Sequence, residues 1–248
     1  MNAKMNNHYI SDEISYLYNA TYQCCEERKG YDGIWQIAPF QCSIPYSENS
    51  IENLQDLKEY LRESFSELID FGERRAKKAF LSRSDSITKP SYIHRLEKYI
   101  DGDHNQISNM YDIATHESAS GGLVFSVFSP RDLIDRKRPG YVPCLISGSF
   151  LLHDNELHLN AFFRSQSVVE FGLFDMLFLR KFQKDFLDQY VHASSRSSTT
   201  RDGPLNLHFG RVIVHRRFMK SNTSFIRRED IVPAWLREVE SFRIRSLS

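Results

Sequence analysis

The stretch Tyr141–Gln166, YVPCLISGSFLLHDNELHLNAFFRSQ, decides how the chain is read. A cysteine follows a proline, and two alternating apolar runs flank His153-Asp154-Asn155. Runs of this length rich in aliphatic and aromatic residues are strand signals, and Asp-Asn between them is a turn signal, so the spacing predicts a β-hairpin. Cys144 then has two readings. Within a strand-like run it is a small buried hydrophobe, and with a cation beside it, it is a nucleophile. Arg164, at the end of the second strand, is the candidate cation, and its bland reading is a surface arginine. Spacing alone leaves both pairs of readings open.

Working outward, Leu123–Ser129 (LVFSVFS) predicts a strand before the hairpin, and Leu205–Phe218 (LNLHFGRVIVHRRF) a final strand after it. Between them, Phe171–Tyr190 is a strongly apolar helix, followed by a Ser/Thr-rich loop. Upstream, helical spacing marks Ser11–Glu27, Asn53–Phe71 and a segment near Asn105–Thr115. Ile34–Tyr46 reads as extended chain, 73–90 as a polar loop or short helix, and 233–240 as a short helix. These strands do not alternate with helices in βαβ units. The expectation is an α+β fold with a mixed sheet covered by helices, built as a single domain over residues 1–248.

The totals narrow the function. Lys+Arg and Asp+Glu are both 32, so the formal net charge is zero, which argues against a nucleic-acid or membrane-surface partner. The N-terminal residues lack the apolar core of a signal peptide, and no apolar run reaches the ~18 residues of a membrane span, so a soluble, cytoplasmic protein is expected. The four cysteines (Cys24, Cys25, Cys42, Cys144) and nine dispersed histidines have neither disulfide-framework nor metal-ligand spacing, and no metal is expected.

The order of several short motifs resembles thymidylate synthase and its relatives, the pyrimidine-nucleotide hydroxymethylases, over roughly residues 20 to 220. ERKGYDG resembles that family's R-T-G-T-G loop, putting Arg28 at the arginine that reaches the substrate phosphate. FSELIDFG resembles the E-L-L-W-F-x-x-G helix, with Glu67 at the catalytic glutamate, and SYIHRL resembles Y-G-x-Q-W-R, with Tyr92 at the tyrosine. LVFSVFSPRDLIDRKRPGYVPC is similar to an S-A-W-N-P-x-D-L segment leading to P-P-C, and FFRSQSVVEFGLFD to Q-R-S-x-D-x-x-L-G-x-P-F-N.

The resemblance implies a mixed sheet with helices on one face and a sheet-to-sheet homodimer through the other. It also implies chemistry. Cys144 adds to C6 of a pyrimidine, and C5 then takes a one-carbon unit from 5,10-methylenetetrahydrofolate. Glu67 and Tyr92 assist proton transfer, while Arg28, Arg164 and Ser165 bind the substrate and Arg164 also favours the thiolate. Asp175 falls at the family's base-reading asparagine. A carboxyl there suits the amino and N3 edge of cytosine, and its bland reading is a solvated carboxylate at a helix end. His215 falls near the sugar-binding position or simply faces solvent.

The chain also departs from the pattern. Gly121-Gly122 stands where the family has the arginine pair that grips the partner's phosphate, and Leu145 replaces the histidine after the cysteine. Ile213 interrupts H-x-Y, Ser167 replaces an aspartate, and Phe171 or Gly172 borders the folate position. The expected function is a one-carbon transferase acting on a cytosine nucleotide or related pyrimidine. The alternative is a nucleotide-binding or assembly protein without folate chemistry. A third reading keeps the cysteine addition on another heterocycle, without folate.

Overall fold

The computed structural model describes residues 16, 19–20, 23–24, 34–47, 90–99, 105–116, 121–134, 142–193 and 199–215. Their order is β1 (Ile34–Ile37), β2 (Phe40–Ile44), α1 (Tyr92–His94) running into a π-helical turn (Arg95–Tyr99), α2 (Gln106–His116), β3 (Val124–Ser126) and α3 (Arg131–Ile134). Then come β4 (Leu145–His153), β5 (Glu156–Phe163), β6 (Gln166–Ser167), a second π-helical turn (Val168–Gly172), α4 (Leu173–Ala193), β7 (Arg201–Phe209) and β8 (Val212–His215). This is a mixed α+β architecture. The helices expected at Asn53–Phe71 and at 233–240 lie outside the described residues.

Five strands form one sheet in the order β2-β7-β5-β4-β3, and three form another in the order β1-β8-β6. The expected hairpin is β4–β5, antiparallel from Leu145↔Phe163 to His153↔Glu156. Asp154 and Asn155 turn it with φ of 50° and 61°, the left-handed region that Asp and Asn tolerate better than other side chains. β5 and β7 pair in parallel, which requires a crossover, and α4 supplies it.

Two readings of the sequence are corrected. The extended chain at 34–46 is two strands in different sheets, divided at Ala38-Pro39. The single final strand is also two, β7 and β8, divided at Gly210-Arg211, and β7 begins at Arg201, inside the expected loop. The apolar continuity of LNLHFGRVIVH hides the break because both strands bury a face.

One face of the large sheet forms the core. Leu157, Leu159, Ala161 and Phe163 of β5 and Leu205, Leu207 and Phe209 of β7 are all buried, at alternate positions as the pleat demands. α4 presents Met176, Leu179, Phe182, Phe186 and Leu187 to them at helical spacing. Phe186 stacks on Phe150 of β4 (centroids 4.2 Å, planes 12° apart), and Tyr111 of α2 stacks on Phe186 in turn (4.7 Å, 16°).

The buried polar groups of α4 answer a defect in the sheet. The β5–β7 register shifts between Leu157 and Leu159, and Pro204 has no N–H to give the ladder. The Gln183 amide donates to the carbonyls of Leu157 and Gly203, and Arg180 Nη1 donates to Gly203 O at 3.0 Å. Arg180 Nη2 reaches the carbonyls of Ile44 (3.1 Å) and Pro45 (2.6 Å). Through these carbonyls the two side chains fix α4 against the ends of three strands.

The opposite face of the sheet is polar and apolar by turns. Ser43, Asn206, Asn160 and Ser149 form a hydrogen-bonded row across four strands, at 2.8, 3.1 and 3.3 Å. Beside it, Phe162 stacks on His208 at 4.7 Å, and Val124, Leu151 and Phe162 are about half exposed (56%, 49% and 47%). No helix of the described residues is long and apolar enough to cross a membrane.

Candidate active site

The site forms where the two sheets meet. Phe163↔Phe209 is the last pair of β5 and β7, and Gln166↔Val212 is the first of β6 and β8. Both strand pairs are parallel, so the chains run on together across a two-residue gap, Arg164-Ser165 on one side and Gly210-Arg211 on the other. Two hydrogen bonds bridge it, Gly210 N to Phe163 O (2.8 Å) and Gln166 N to Arg211 O (2.9 Å). A Cβ on Gly210 would stand 2.9 Å from Arg164 O, so this close approach of backbones needs glycine.

Within the gap the side chains leave the alternation of the pleat. Cys144 immediately precedes β4 and is half-buried, and its carbonyl accepts from Arg164 N at 2.9 Å. Cys144 Sγ lies 3.9 Å from Ser165 Oγ. Cys144 is thus neither inside the strand nor in the closed core. The Arg164 guanidinium closes over the same segment, Nε donating to Pro143 O (2.9 Å) and Nη2 to Val142 O (2.7 Å). Among the described residues Nη1 has no acceptor, so Arg164 both braces the cysteine segment and keeps a donor for another group.

Tyr92 arrives from α1. Ser91 caps that turn, its Oγ accepting from His94 N at 3.1 Å, and the Tyr92 hydroxyl accepts from Leu145 N at 3.3 Å. The helix is anchored by a pair that the sequence reading missed. Buried Arg95 forms a bidentate bridge to buried Asp132, at 2.8 and 3.0 Å, and also donates to Pro90 O and Val127 O at 3.0 Å each. A second Asp132 contact, from Ser129 N at 2.9 Å, ties the pair to the turn before α3. The S-P-R-D-L segment was the available signal, since an aspartate three residues after a serine in a turn is placed to cap it.

Asp175 lies in the first turn of α4, beyond the π-helical turn, and is only 2% exposed, so the solvated reading fails. Its Oδ2 accepts from Gln166 Nε2 at 2.8 Å. Gln166 was also missed, because a glutamine after Arg-Ser carries no signature of its own. Burial pushes the Asp175 carboxyl up to about 7, partly offset by the Gln166 hydrogen bond, which favours the charged form. Burial holds the Tyr92 hydroxyl well above its ordinary range, and the charges of Asp175 and Cys144 add to that. Tyr92 is therefore a neutral phenol at every physiological pH.

Of the residues expected at a site, Cys144, Tyr92, Arg164, Ser165 and Asp175 come together. His215 is on β8, three residues beyond the Val212 that pairs with Gln166, and its backbone pairs with Ile34. Arg28 and Glu67 lie outside the described residues. Gly121, where the resemblance expects an arginine, lies in open space with nothing within 4 Å of an added Cβ. No group of three or more His, Cys, Asp or Glu among the described residues is placed to hold a metal ion. No protein-family model matches the chain, and no curated protein matches it in sequence.

Proposed function

We propose that this protein is a divergent transferase of the thymidylate synthase type, which adds a one-carbon unit, hydroxymethyl or methyl, to C5 of a cytosine nucleotide. One observation carries the reading. A thiol, a hydroxyl, a guanidinium, a neutral phenol and a buried carboxyl converge at one seam between two sheets, held there by contacts 9 to 53 residues apart along the chain. In the proposed reaction Cys144 Sγ bonds to C6, and the C5=C6 electron pair moves to make C5 a nucleophile. C5 would take the methylene unit of methylenetetrahydrofolate and lose its proton, with tetrahydrofolate as the leaving group. The exocyclic methylene would then take water to give hydroxymethyl, or hydride from the tetrahydrofolate to give methyl, as elimination of the thiolate restores the double bond. Arg164 keeps a donor for an anion and favours thiolate over thiol. Asp175 reads the base, and Tyr92, protonated throughout, serves as hydrogen-bond donor or proton source rather than base.

Folate enters through the resemblance alone. Ser167, where the relatives carry an aspartate, is buried, and Gly172 beside it is also buried, so neither offers a pterin a carboxylate. A second copy of the chain is proposed to cover the sheet face on which half-exposed Val124, Leu151 and Phe162 flank a row of mutually hydrogen-bonded polar side chains. The test of the reaction is tritium release from C5-labelled CMP, dCMP, UMP and dUMP with methylenetetrahydrofolate. Release from a cytosine nucleotide that disappears in Cys144→Ala is expected. No release from any of them sinks the proposal.

The second reading, a nucleotide-binding or assembly protein without folate chemistry, is favoured by the open space at Gly121 and by the two Arg164 donors already engaged with backbone carbonyls. It predicts nucleotide binding with no C5 exchange.

A further inference from the structure

Among the described residues three buried side-chain atoms have no hydrogen-bond partner: Gln166 Oε1, Asp175 Oδ1 and Tyr16 Oη. Gln166 is 0%, Asp175 2% and Tyr16 5% exposed. Leaving such a group buried and unpaired is unfavourable, and two adjoining ones on a hydrogen-bonded pair need a ligand or water to complete them. Tyr16 is a neighbour of the other two: burial first, then the charges of Cys42 and Asp175, hold its hydroxyl above the ordinary range. Its ring stacks on Phe209 at 5.8 Å and packs beside Phe40 at 5.8 Å, on the β2 side of the core. Gln166 directly follows Arg164-Ser165 in the chain, and Ser165 Oγ lies 3.9 Å from Cys144 Sγ, which ties the Gln166–Asp175 pair to the seam.

We propose that Gln166 is the residue that selects a 4-amino over a 4-oxo pyrimidine, its side-chain oxygen accepting one of the two amino hydrogens while Asp175 takes the other and the N3 edge. This rests on the reading of the site as one that binds a pyrimidine base. The orientation of the Gln166 amide follows from its partner. Nε2 donates to Asp175 Oδ2 at 2.8 Å, so Oε1 is the amide atom left for another donor. A flipped amide would set its own oxygen against Oδ2, two acceptors in contact, unless the carboxyl carried its proton there.

The inventory of donors then decides the ligand. Gln166 Oε1 can only accept. Asp175, raised to about 7 by burial, has a neutral form available near neutrality, which donates through O–H and still accepts through its other oxygen. Together they offer two acceptors and one donor. The 4-amino group of cytosine brings two N–H donors and N3 brings one acceptor, a complete match. Uracil brings a 4-oxo acceptor to the same place, facing Gln166 Oε1 with no hydrogen between them. A site that loses a paired polar contact in this way rejects the wrong ligand more strongly than one that loses only apolar contact.

The test is calorimetric titration of the full chain with CMP and UMP at pH 7, for wild type, Gln166→Met and Gln166→Glu. Methionine keeps the unbranched length without an acceptor oxygen, and glutamate keeps the oxygen. Wild type is expected to bind CMP more tightly than UMP, with the ratio falling about tenfold in Gln166→Met and surviving in Gln166→Glu. Should Gln166→Met fail to fold, Gln166→Leu gives the same reading. An unchanged ratio in the methionine or leucine variant overturns the role of Gln166 and leaves the proposed reaction standing. Binding of neither nucleotide by wild type overturns the pyrimidine reading and this inference with it.

Discussion

Replacing Asp175 by asparagine should stabilise the protein, and by an amount that depends on pH. The folded carboxyl titrates at about 7 against an ordinary 3.8, because burial penalises its charge. The folded state thus binds the proton more tightly than the unfolded chain. Stability is highest below about pH 4, falls as pH rises between the two values, and is constant above them. The whole span corresponds to about 4 kcal/mol, and more than half of it falls between pH 5 and pH 8. Asparagine has no charge to bury, keeps the shape and can still accept from Gln166. Unfolding by urea, for both proteins at both pH values, isolates this one group, since every other titration is common to the two. The variant's advantage should grow by about 2–3 kcal/mol from pH 5 to pH 8, or by about 5–10 °C in thermal midpoint for a chain of this size. An advantage that does not change with pH refutes the buried, raised carboxyl. One that shrinks means that Asp175 is ionised and paired in the folded protein.

The Arg95–Asp132 bridge should behave as a buried pair does when one partner is removed. Arg95→Met leaves the Asp132 carboxylate without its bidentate cation and is expected to cost about 3–5 kcal/mol in urea unfolding, while Arg95→Met with Asp132→Leu costs less than the single change. A single variant within ~0.5 kcal/mol of wild type would show that the bridge does not hold α1 in place. The sheet face is tested by Phe162→Glu. As Phe162 is 47% exposed on one chain, the change should leave unfolding within about 1 kcal/mol of wild type yet separate a dimer into monomers by light scattering. A monomeric wild type, or a variant dimer of unchanged strength, removes the proposed second copy from that face.

How far the sequence could be read followed from the range of its physical signals. The β4–β5 hairpin was legible because alternation and an Asp-Asn turn are both local, and α4 because its apolar spacing persists for five turns. Convergence of Cys144 with Arg164 was legible only through the order of motifs, since nothing local tells a thiol at the mouth of a strand from one inside it. The break at Gly210 was illegible because the residues on each side are equally apolar. It is set by pairing with Arg164-Ser165, a contact between chain segments 46 residues apart. Arg95, Asp132, Arg180 and Gln183 were passed over for a related reason. Their partners are backbone groups and side chains far off in the chain, such as the carbonyls of Leu157 and Gly203, which come within reach only once the sheet is assembled.

The seam also explains why these side chains can meet at all. Within a parallel pair, neighbouring residues point to opposite faces, so a strand continuing from β5 into β6 would send Arg164 and Ser165 to opposite sides of one sheet. The two-residue gap releases both from the ladder. Arg164 then folds back on the carbonyls of Val142 and Pro143, and Ser165 comes to 3.9 Å from the thiol. Pairing resumes at Gln166, whose side chain is thereby fixed against Asp175 on the helix that follows. The thiol is held by the large sheet through Leu145, and the carboxyl is reached through the small one. Their separation is therefore set by the gap, and Gly210 is the residue that permits the gap its close backbone approach. A functional group placed by two sheets in this way is sensitive to their relative position, and the two bridging hydrogen bonds at Phe163 and Arg211 are what keep that position constant.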